Sequence, residues 1–593
     1  MVVSSEMKRV DTRKDLAAVV EQPPAGSRAA PGLCTSPNIN QRYLHSNPVA
    51  QTYGARARAS GTEVQPEGDV PAACQVHEND LAEVVIVCEP EGTSLMMGGL
   101  HPRASLYEKP LNLEEAKAQH ENFRNTMRRF GVKVLTVREI LRYAADSNIR
   151  ARVELEEFAL NSLTYRLAEG FDPSAVCKEN FMPYLSEEYK RTVLEEMSTD
   201  QLLDVIMTHP TVTIKPSGRD TGFAAEYTFE PLSNLIYTRD QQITTCRGIV
   251  MARLRSSQRQ DEVDLMRLCF NKLGLPIVGE VKEGGFLEGG DYFAAGPDLC
   301  FVGIGLRSNR QACLQLMEED LFGTRRVAVV RDELEMHQDR MHLDCVFSIL
   351  SDNCCVMLED MMGQDSATKR LVDEYVRDKS GKYHLEREGV EFAEYVRAQG
   401  YSIIPVPGKD QLLYGCNVLN LGNSTILAVH DKTARNIARS PQFSGDVFHV
   451  PFEGITCMYG AVHCSSQVVR RKPRLDAPQR PGTSNLQRRS AGVSNSGHQP
   501  QQAQQQQKAA QPRGLLGAAL AAGGGQQQAA ASPVEAITLG LERASVSSES
   551  RPPAGVSIQP RASNPGSNQA LAGSYRSTAS RLMGGPALPA HED

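Results

Sequence analysis

Between about residues 76 and 472, short β-branched and aliphatic runs alternate with stretches whose apolar residues recur every three or four positions. The short runs predict strands at Glu83–Val87, Val132–Leu135, Ile249–Arg253, Leu275–Val278, Leu299–Ile304 and Arg326–Val330. Further strands are predicted at Cys345–Leu350, Cys355–Leu358, Ser402–Pro405, Asn417–Leu421, Thr425–Val429 and Val447–Val450. The longer spacing predicts helices at Leu113–Phe130, Gln260–Leu273, Gln311–Leu321, Lys369–Val376, Val390–Gln399 and Ala434–Arg439. Such alternation argues for an α/β architecture built from repeated small units. The rhythm lapses between about 138 and 207, where Leu155, Phe158, Ala159, Leu163 and Leu167 keep a helical spacing and strand signal is almost absent. LSEEYKRTVLEEM and STDQLLDVIM follow, each opening on Ser with Glu or Gln shortly after, close to a capping box. This stretch predicts an inserted helical bundle, suited to walling off one side of a pocket or supporting oligomerisation.

The flanks read differently. Residues 1–75 are rich in Pro, Ala, Gly, Ser and Arg, and predict a disordered leader. Residues 473–593 run through QQAQQQQ and AALAAGGGQQQAAA into Ser/Pro/Arg-rich segments, a tail unable to bury enough apolar area to offset its ordering entropy. Within it, GLLGAALAA at 514–522 is at most a transient helix. The catalytic-sized globular domain is therefore expected at 76–472.

A net charge of −7, on 64 basic and 71 acidic residues, gives no bulk signal for nucleic acid or an anionic membrane. No apolar run approaches the ~18 residues of a membrane span. The fourteen cysteines are scattered without a CxxC spacing, which favours reduced intracellular thiols over a disulfide framework or a zinc site. MVVSSEMKRVDTRKD lacks a hydrophobic signal core, so a cytoplasmic location is expected, with an organellar transit segment in the Arg-containing residues 1–60 as the alternative.

Four separated motifs carry candidate chemistry: NLIYTRD (Asn234–Asp240), FLEGGD (Phe286–Asp291), MHLD (Met341–Asp344) and VHCSS (Val462–Ser466). Each alone has an ordinary explanation. Arg239-Asp240 is commonly a surface ion pair, EGGD a tight surface turn, HxD a structural histidine, and Cys464 one thiol among fourteen. The apolar, turn-rich PLSNLIY would place Asp240 at the inner end of a strand–loop junction. The glycines of EGGD permit unusual backbone and close approach by a ligand. In a strand, His342 and Asp344 would share one face. Cys464 needs a depressed pKa and partial exposure to react, and a protonated His342 nearby would supply the first.

The combination is more telling than its parts. Acids, an imidazole and a thiol converging on one pocket suit the binding of a planar cation and attack on its central carbon. A guanidinium presents a flat fork of N–H donors matched by carboxylates, and burying it requires anionic partners. Asp240 and Asp344 are the expected clamp, and the bound cation would stabilise the Cys464 thiolate.

These motifs, in this order, resemble the arginine deiminases of the guanidino-group modifying enzymes. The resemblance runs from HENDLAEVVIVCEP, similar to the family's opening strand, through the helical insert to the late cysteine loop. It implies a five-bladed α/β propeller of pseudo-repeats with the site at its axis. It further implies Cys464 as nucleophile, His342 as general acid/base, Glu288 orienting His342, and Asp240 and Asp344 holding the guanidinium. Asn234 and Tyr237 would line the substrate channel, with Arg259 and Arg307 on the α-carboxylate of L-arginine. No cofactor or metal, a homo-oligomeric state, and no nucleic-acid or membrane partner are the matching expectations. One departure stands out: Tyr459 occupies the place, five residues before the cysteine, where bacterial members carry an arginine on the substrate carboxylate.

The competing expectations are a sister enzyme (agmatine deiminase, dimethylarginine hydrolase or amidinotransferase), a non-catalytic arginine-binding protein and, more remotely, a cysteine protease. The first would have no use for Arg259 and Arg307 if its substrate lacked a carboxylate. The second leaves the retained reactive groups unexplained, and the third leaves the acids unexplained.

Overall fold

Five times along the chain, two antiparallel strands are followed by a helix and then a third strand parallel to the second. The computed structural model describes residues 73–90, 92–170, 182–217 and 223–473. The first unit comprises Gln242–Thr245, Gly248–Met251, the helix Gln260–Lys272 and Ile277–Glu280. The second is Tyr292–Ala294, Leu299–Ile304, Arg310–Glu318 and Arg326–Arg331. The third is Phe347–Ser351, Cys354–Leu358, Phe392–Ala398 and Ser402–Val406. The fourth is Leu419–Gly422, Thr425–Ala428, Asp431–Arg439 and Asp446–His449. The fifth joins the two ends of the domain: Gln467–Lys472 pairs antiparallel with Leu81–Val87, which continues through Leu113–Arg129 to Lys133–Thr136.

Local sequence explains the elements. In Leu113–Arg129 the buried Ala116, His120, Phe123 and Met127 form one stripe at four-, three- and four-residue spacing. Asn112 caps the start by accepting the Glu115 N–H at 3.3 Å, and Arg128 and Arg129 sit in the last turn, complementing the helix dipole. The predicted cap at Ser198 is a full capping box with Gln201. The paired strands carry almost continuous buried runs, as expected where helices cover a sheet.

The insert is not purely helical. Between Lys133–Thr136 and the first unit lie Val137–Arg142, Ile149–Ser162, Glu187–Glu195 and Thr199–Thr208, together with a three-stranded sheet of Thr164–Leu167, Pro210–Pro216 and Phe223–Phe229. TYRL is too short to announce a strand without its partners. Residues 73–75, assigned by composition to the leader, belong to the fold: Cys74 bridges Arg470 and its N–H donates to Val469 O. The expectations for 1–72 and for 474–593, including the 514–522 helix, fall outside the described residues. No helix among the described residues is long and apolar enough to cross a membrane.

One predicted helix is a strand. Residues 371–377 form Leu371–Arg377, the first half of a hairpin with Tyr383–Glu391 that extends the second unit's sheet by pairing with Arg326–Arg331. The acids of LVDEYV look like a solvated helical face, yet Asp373 and Glu374 are buried. Distant arginines neutralise them: Arg310 Nη2 lies 2.6 Å from Asp373, and Arg326 Nη1 and Arg387 Nε each lie 2.8 Å from Glu374. Glu374→Ala should therefore cost about 3 kcal/mol, the low end for breaking a buried pair, because Arg326 keeps Asp298. Chemical denaturation reads this out, and a loss below about 1 kcal/mol would show that the acid carries no buried charge balance.

Candidate active site

The segments bearing the candidate residues occupy equivalent places in the repeat. Asp240 precedes the strand Gln242–Thr245, and Glu288–Asp291 precedes Tyr292–Ala294. His342–Asp344 precedes Phe347–Ser351, Asn417 precedes Leu419–Gly422, and Cys464 precedes Gln467–Lys472. Each unit thus sends the turn before its first strand to a common centre.

Backbone hydrogen bonds stitch these turns together. The Arg239 N–H donates to Cys464 O at 3.0 Å, and the Gly289 N–H donates to Asp240 O at 3.1 Å. The Leu343 N–H donates to Asp291 Oδ1 at 2.8 Å. Arg239 Nε also reaches His463 O at 3.1 Å. The EGGD glycines serve this stitching rather than a ligand's approach, because neither has a left-handed φ. A Cβ on Gly289 would overlap the Arg239 and Gln242 carbonyl oxygens, and one on Gly290 would press into the His342 ring.

At the centre is a narrow cavity lined by Asn234, Tyr237, Asp240, Arg259, Arg307, His342 and Cys464, seven of the nine residues singled out by sequence. The other two stand directly behind. Glu288 accepts from His342 Nε2 at 2.8 Å, and Asp344 Oδ2 accepts from Cys464 Sγ at 3.3 Å. HLD is not in a strand: His342 caps the short 3-10 turn Leu343–Cys345, which sends the imidazole to Glu288 and the carboxylate to the sulfur.

The electrostatics are set by burial. Desolvation opposes charge on His342, but Asp240, Glu288 and Asp291 outweigh it and push its pKa up to about 10. Burial likewise opposes charge on Glu288, and the His342 hydrogen bond overrides this to keep the carboxylate ionised. His342 Nδ1 lies 3.8 Å from Asp240 Oδ1, an oxygen that accepts no hydrogen bond. Asp291 goes the other way: burial raises it to about 6 even though Ser308 donates to it at 2.6 Å.

Cys464 departs from expectation. It is buried (4% exposed), and burial together with Asp344, Cys345 and Asp240 raises its thiol well above the ordinary range. Its near partners are Asp344 and Asn417, whose Nδ2 lies 3.1 Å from Sγ. The substrate-free site therefore holds a protonated thiol, where the sequence suggested a thiolate set up by His342.

The remaining residues sit as follows. Arg259 is locked rather than poised: Nη1 reaches Asp240 Oδ2 at 2.9 Å and Nη2 reaches Glu262 Oε2 at 2.9 Å. Arg307 Nη2 donates to Gln338 Oε1 at 2.9 Å, while its buried Nε has no partner. Tyr237 Oη donates to Ile455 O at 2.9 Å, and Asn234 Nδ2 donates to Ser105 O at 3.1 Å, so both shape the wall. Tyr459 lies at the cavity with φ +68°.

Three contributors escaped the sequence reading. Asp291 was visible as the last letter of EGGD. His463 stood inside VHCSS; its Nδ1 lies 2.9 Å from Asp344 Oδ2, and its ring stacks on Phe293 at 5.0 Å. Burial and Arg239 lower its pKa, so it is a neutral ring donating from Nδ1 to a carboxylate. Asn417 carried no local signal. Asp240, Glu288 and His342 bring ligand atoms within 4.8 Å of one another, a metal-like grouping in which His342 Nε2 is hydrogen-bonded to Glu288.

Comparison with known proteins agrees with this geometry. A family profile described as arginine deiminase matches residues 104–471, well over half of the chain. The arginine deiminase of Halobacterium salinarum is 26% identical, over 41% of this chain and 65% of its own length. That of Streptococcus uberis is 23% identical, over 55% of this chain and 80% of its own. A DDAH from Pseudomonas aeruginosa, solved with citrulline, covers 65% of this chain and 98% of its own at 14% identity and a TM-score of 0.37, too loose a likeness to support any conclusion. The chain thus spans just under two thirds of the archaeal relative. The profile covers all five turns that meet at the cavity, though not the fifth unit's strand Leu81–Val87, and the chain belongs to the arginine deiminase family.

Proposed function

We infer that the protein hydrolyses L-arginine to L-citrulline and ammonia through a cysteine-bound intermediate. One observation carries the reading: Cys464, the buried carboxylate of Asp240 and the His342 imidazole line one cavity, with Asp344 directly behind the sulfur. Asp240 Oδ1 is buried without a donor, and an arriving guanidinium would supply one. The same cation lowers the cost of a thiolate whose neighbours are otherwise anionic.

As the cation binds, the Cys464 thiol loses its proton to solvent; its Sγ adds to the guanidinium carbon, and His342 protonates the departing nitrogen, which leaves as ammonia. The carbon remains bonded to sulfur as a thiouronium. His342, now neutral, takes a proton from water as the water attacks that carbon. The C–S bond breaks, citrulline leaves, and the sulfur is free again. Glu288 steadies the positive form of His342, and Asp240 and Asp344 hold the planar cation. The five repeated units support closure into a five-bladed propeller with the cavity at its axis. A cytoplasmic homo-oligomer accords with the resemblance.

A second reading has its own support. Arg259 is neutralised by Asp240 and Glu262, and Tyr459 is no cation, so carboxylate recognition rests chiefly on Arg307. A substrate without a carboxylate, agmatine, is the alternative. Parallel assays of ammonia, citrulline and ornithine from arginine and from agmatine decide between them, with Cys464→Ala as control. Citrulline with equimolar ammonia from arginine is expected, and no turnover by the variant. Ornithine, or preference for agmatine, would replace the first reading, and turnover by Cys464→Ala would mean another nucleophile.

Asp240→Asn should weaken arginine binding about tenfold or more, the worth of a hydrogen bond to a charged group. Calorimetry on the Cys464→Ala background measures this, and unchanged affinity would remove Asp240 from the clamp. The pH profile tests His342. Its raised pKa means that the protonated form persists above the ordinary 6.5 and is lost as pH passes about 10. The alkaline limb of kcat/KM should fall near that value, whereas a midpoint near neutrality would show that Asp240 and Glu288 do not hold the proton.

A further inference from the structure

Four of the five turns at the cavity supply groups already given roles; the fourth unit supplies Asn417, which has none. Its side chain is fully buried. The orientation of its amide is not arbitrary, because Oδ1 accepts the backbone N–H of His463 at 3.0 Å. That bond turns Nδ2 toward the reactive sulfur, 3.1 Å from Cys464 Sγ, with Asp344 O at 3.2 Å as its other acceptor. A flipped amide would set its NH₂ against the His463 N–H, donor against donor, and its oxygen against the Asp344 carbonyl.

We propose that Asn417 is a catalytic residue whose side-chain N–H stabilises the Cys464 thiolate before and during attack. The surroundings show why such a donor matters. The charged and titratable groups near the sulfur include Asp344, Asp240, Cys345, Arg239, Tyr237 and Tyr414, with His342 and Arg259 lining the same cavity. The cations are committed to other acceptors: Arg239 Nε donates to the His463 carbonyl, His342 Nε2 to Glu288, and Arg259 to Asp240 and Glu262. Asp344, the sulfur's other polar contact, favours the thiol by accepting its proton and disfavours the anion. Asn417 favours the anion, since a fixed N–H donor strengthens its bond when the acceptor becomes charged. It is a one-sided oxyanion-hole arrangement applied to sulfur. The substrate cation and Asn417 thus act from different sides on the same charge.

The inference rests on Cys464 being the nucleophile, and its test separates the two claims. Alkylation of the full chain by iodoacetamide, followed by mass spectrometry of the Cys464 peptide across pH 7–9.5, reports thiolate at that sulfur without requiring arginine turnover. Two variants are compared with the wild type. Asn417→Ala removes both bonds; Asn417→Asp keeps size and the acceptor for the His463 N–H but sets a carboxylate against the sulfur. In both, Cys464 labelling should slow about tenfold, a shift of about one pH unit, with kcat falling by a similar factor and KM for arginine little changed. A merely structural role predicts the reverse: a loosened site labels as fast or faster, and Asn417→Asp restores what Asn417→Ala loses. Either result in a variant whose circular dichroism matches the wild type overturns the proposal. Should Asn417→Ala not fold, the aspartate variant decides alone. Arginine turnover by Cys464→Ala would instead remove the nucleophile assignment and this inference with it.

Discussion

Carboxylates held out of water around a cavity impose the constraint from which the rest follows. Asp240, Glu262, Glu288 and Asp344 are all buried, and each ionised group in that setting requires a cation or a set of donors. Two cations pair directly with three of these acids. Arg259 is divided between Glu262 and Asp240, and His342 between Glu288 and Asp240. The side-chain donors to Asp344 are neutral: His463, Cys464 and Cys345. The centre is thus short of positive charge on the side where the sulfur lies. A flat, permanently charged guanidinium corrects that imbalance and brings an electrophilic carbon with it.

The thiol's protonation state belongs to the same balance. Burial and the neighbouring acids keep Cys464 protonated while the cavity holds no cation. Reactivity is then tied to occupancy, because the ligand that must be attacked also offsets the charge of the attacking group. His342 is charged for the opposite reason: three acids face it, and the hydrogen bond to Glu288 fixes its ring. One set of carboxylates thus favours both the charged imidazole and the neutral thiol, the two states that the proposed reaction starts from.

Precision comes from the backbone. The turns before the first strands are tied to each other by main-chain donors, so a shift in one is passed to its neighbours. The two glycines of EGGD let the Arg239 carbonyl and the His342 ring approach that closely. His463 and Phe293 brace Asp344 from behind, and the amide of Asn417 joins the His463 backbone to the sulfur.

Much of this was legible along the chain, and the boundary has a physical cause. Strong β-branched runs such as Leu299–Ile304 and the stripe of Leu113–Arg129 are local patterns, so their elements were readable. Asp240, Glu288, His342, Asp344 and Cys464 were readable too, because each lies in a short segment whose residue types are unusual together. Where a residue's role depends on a partner far along the chain, sequence is silent. LVDEYV resembled a solvated helix until Arg310, Arg326 and Arg387 were brought to its acids. Arg259 looked free for a carboxylate, yet Asp240 and Glu262 hold it. Asn417 is an unremarkable asparagine in one dimension. It reaches a sulfur 47 residues away only because the repeat returns every unit's first turn to the same centre. Composition and periodicity decide which segments become helix, strand or reactive turn; desolvation and proximity, which exist only once the chain has folded, decide which of those groups are charged.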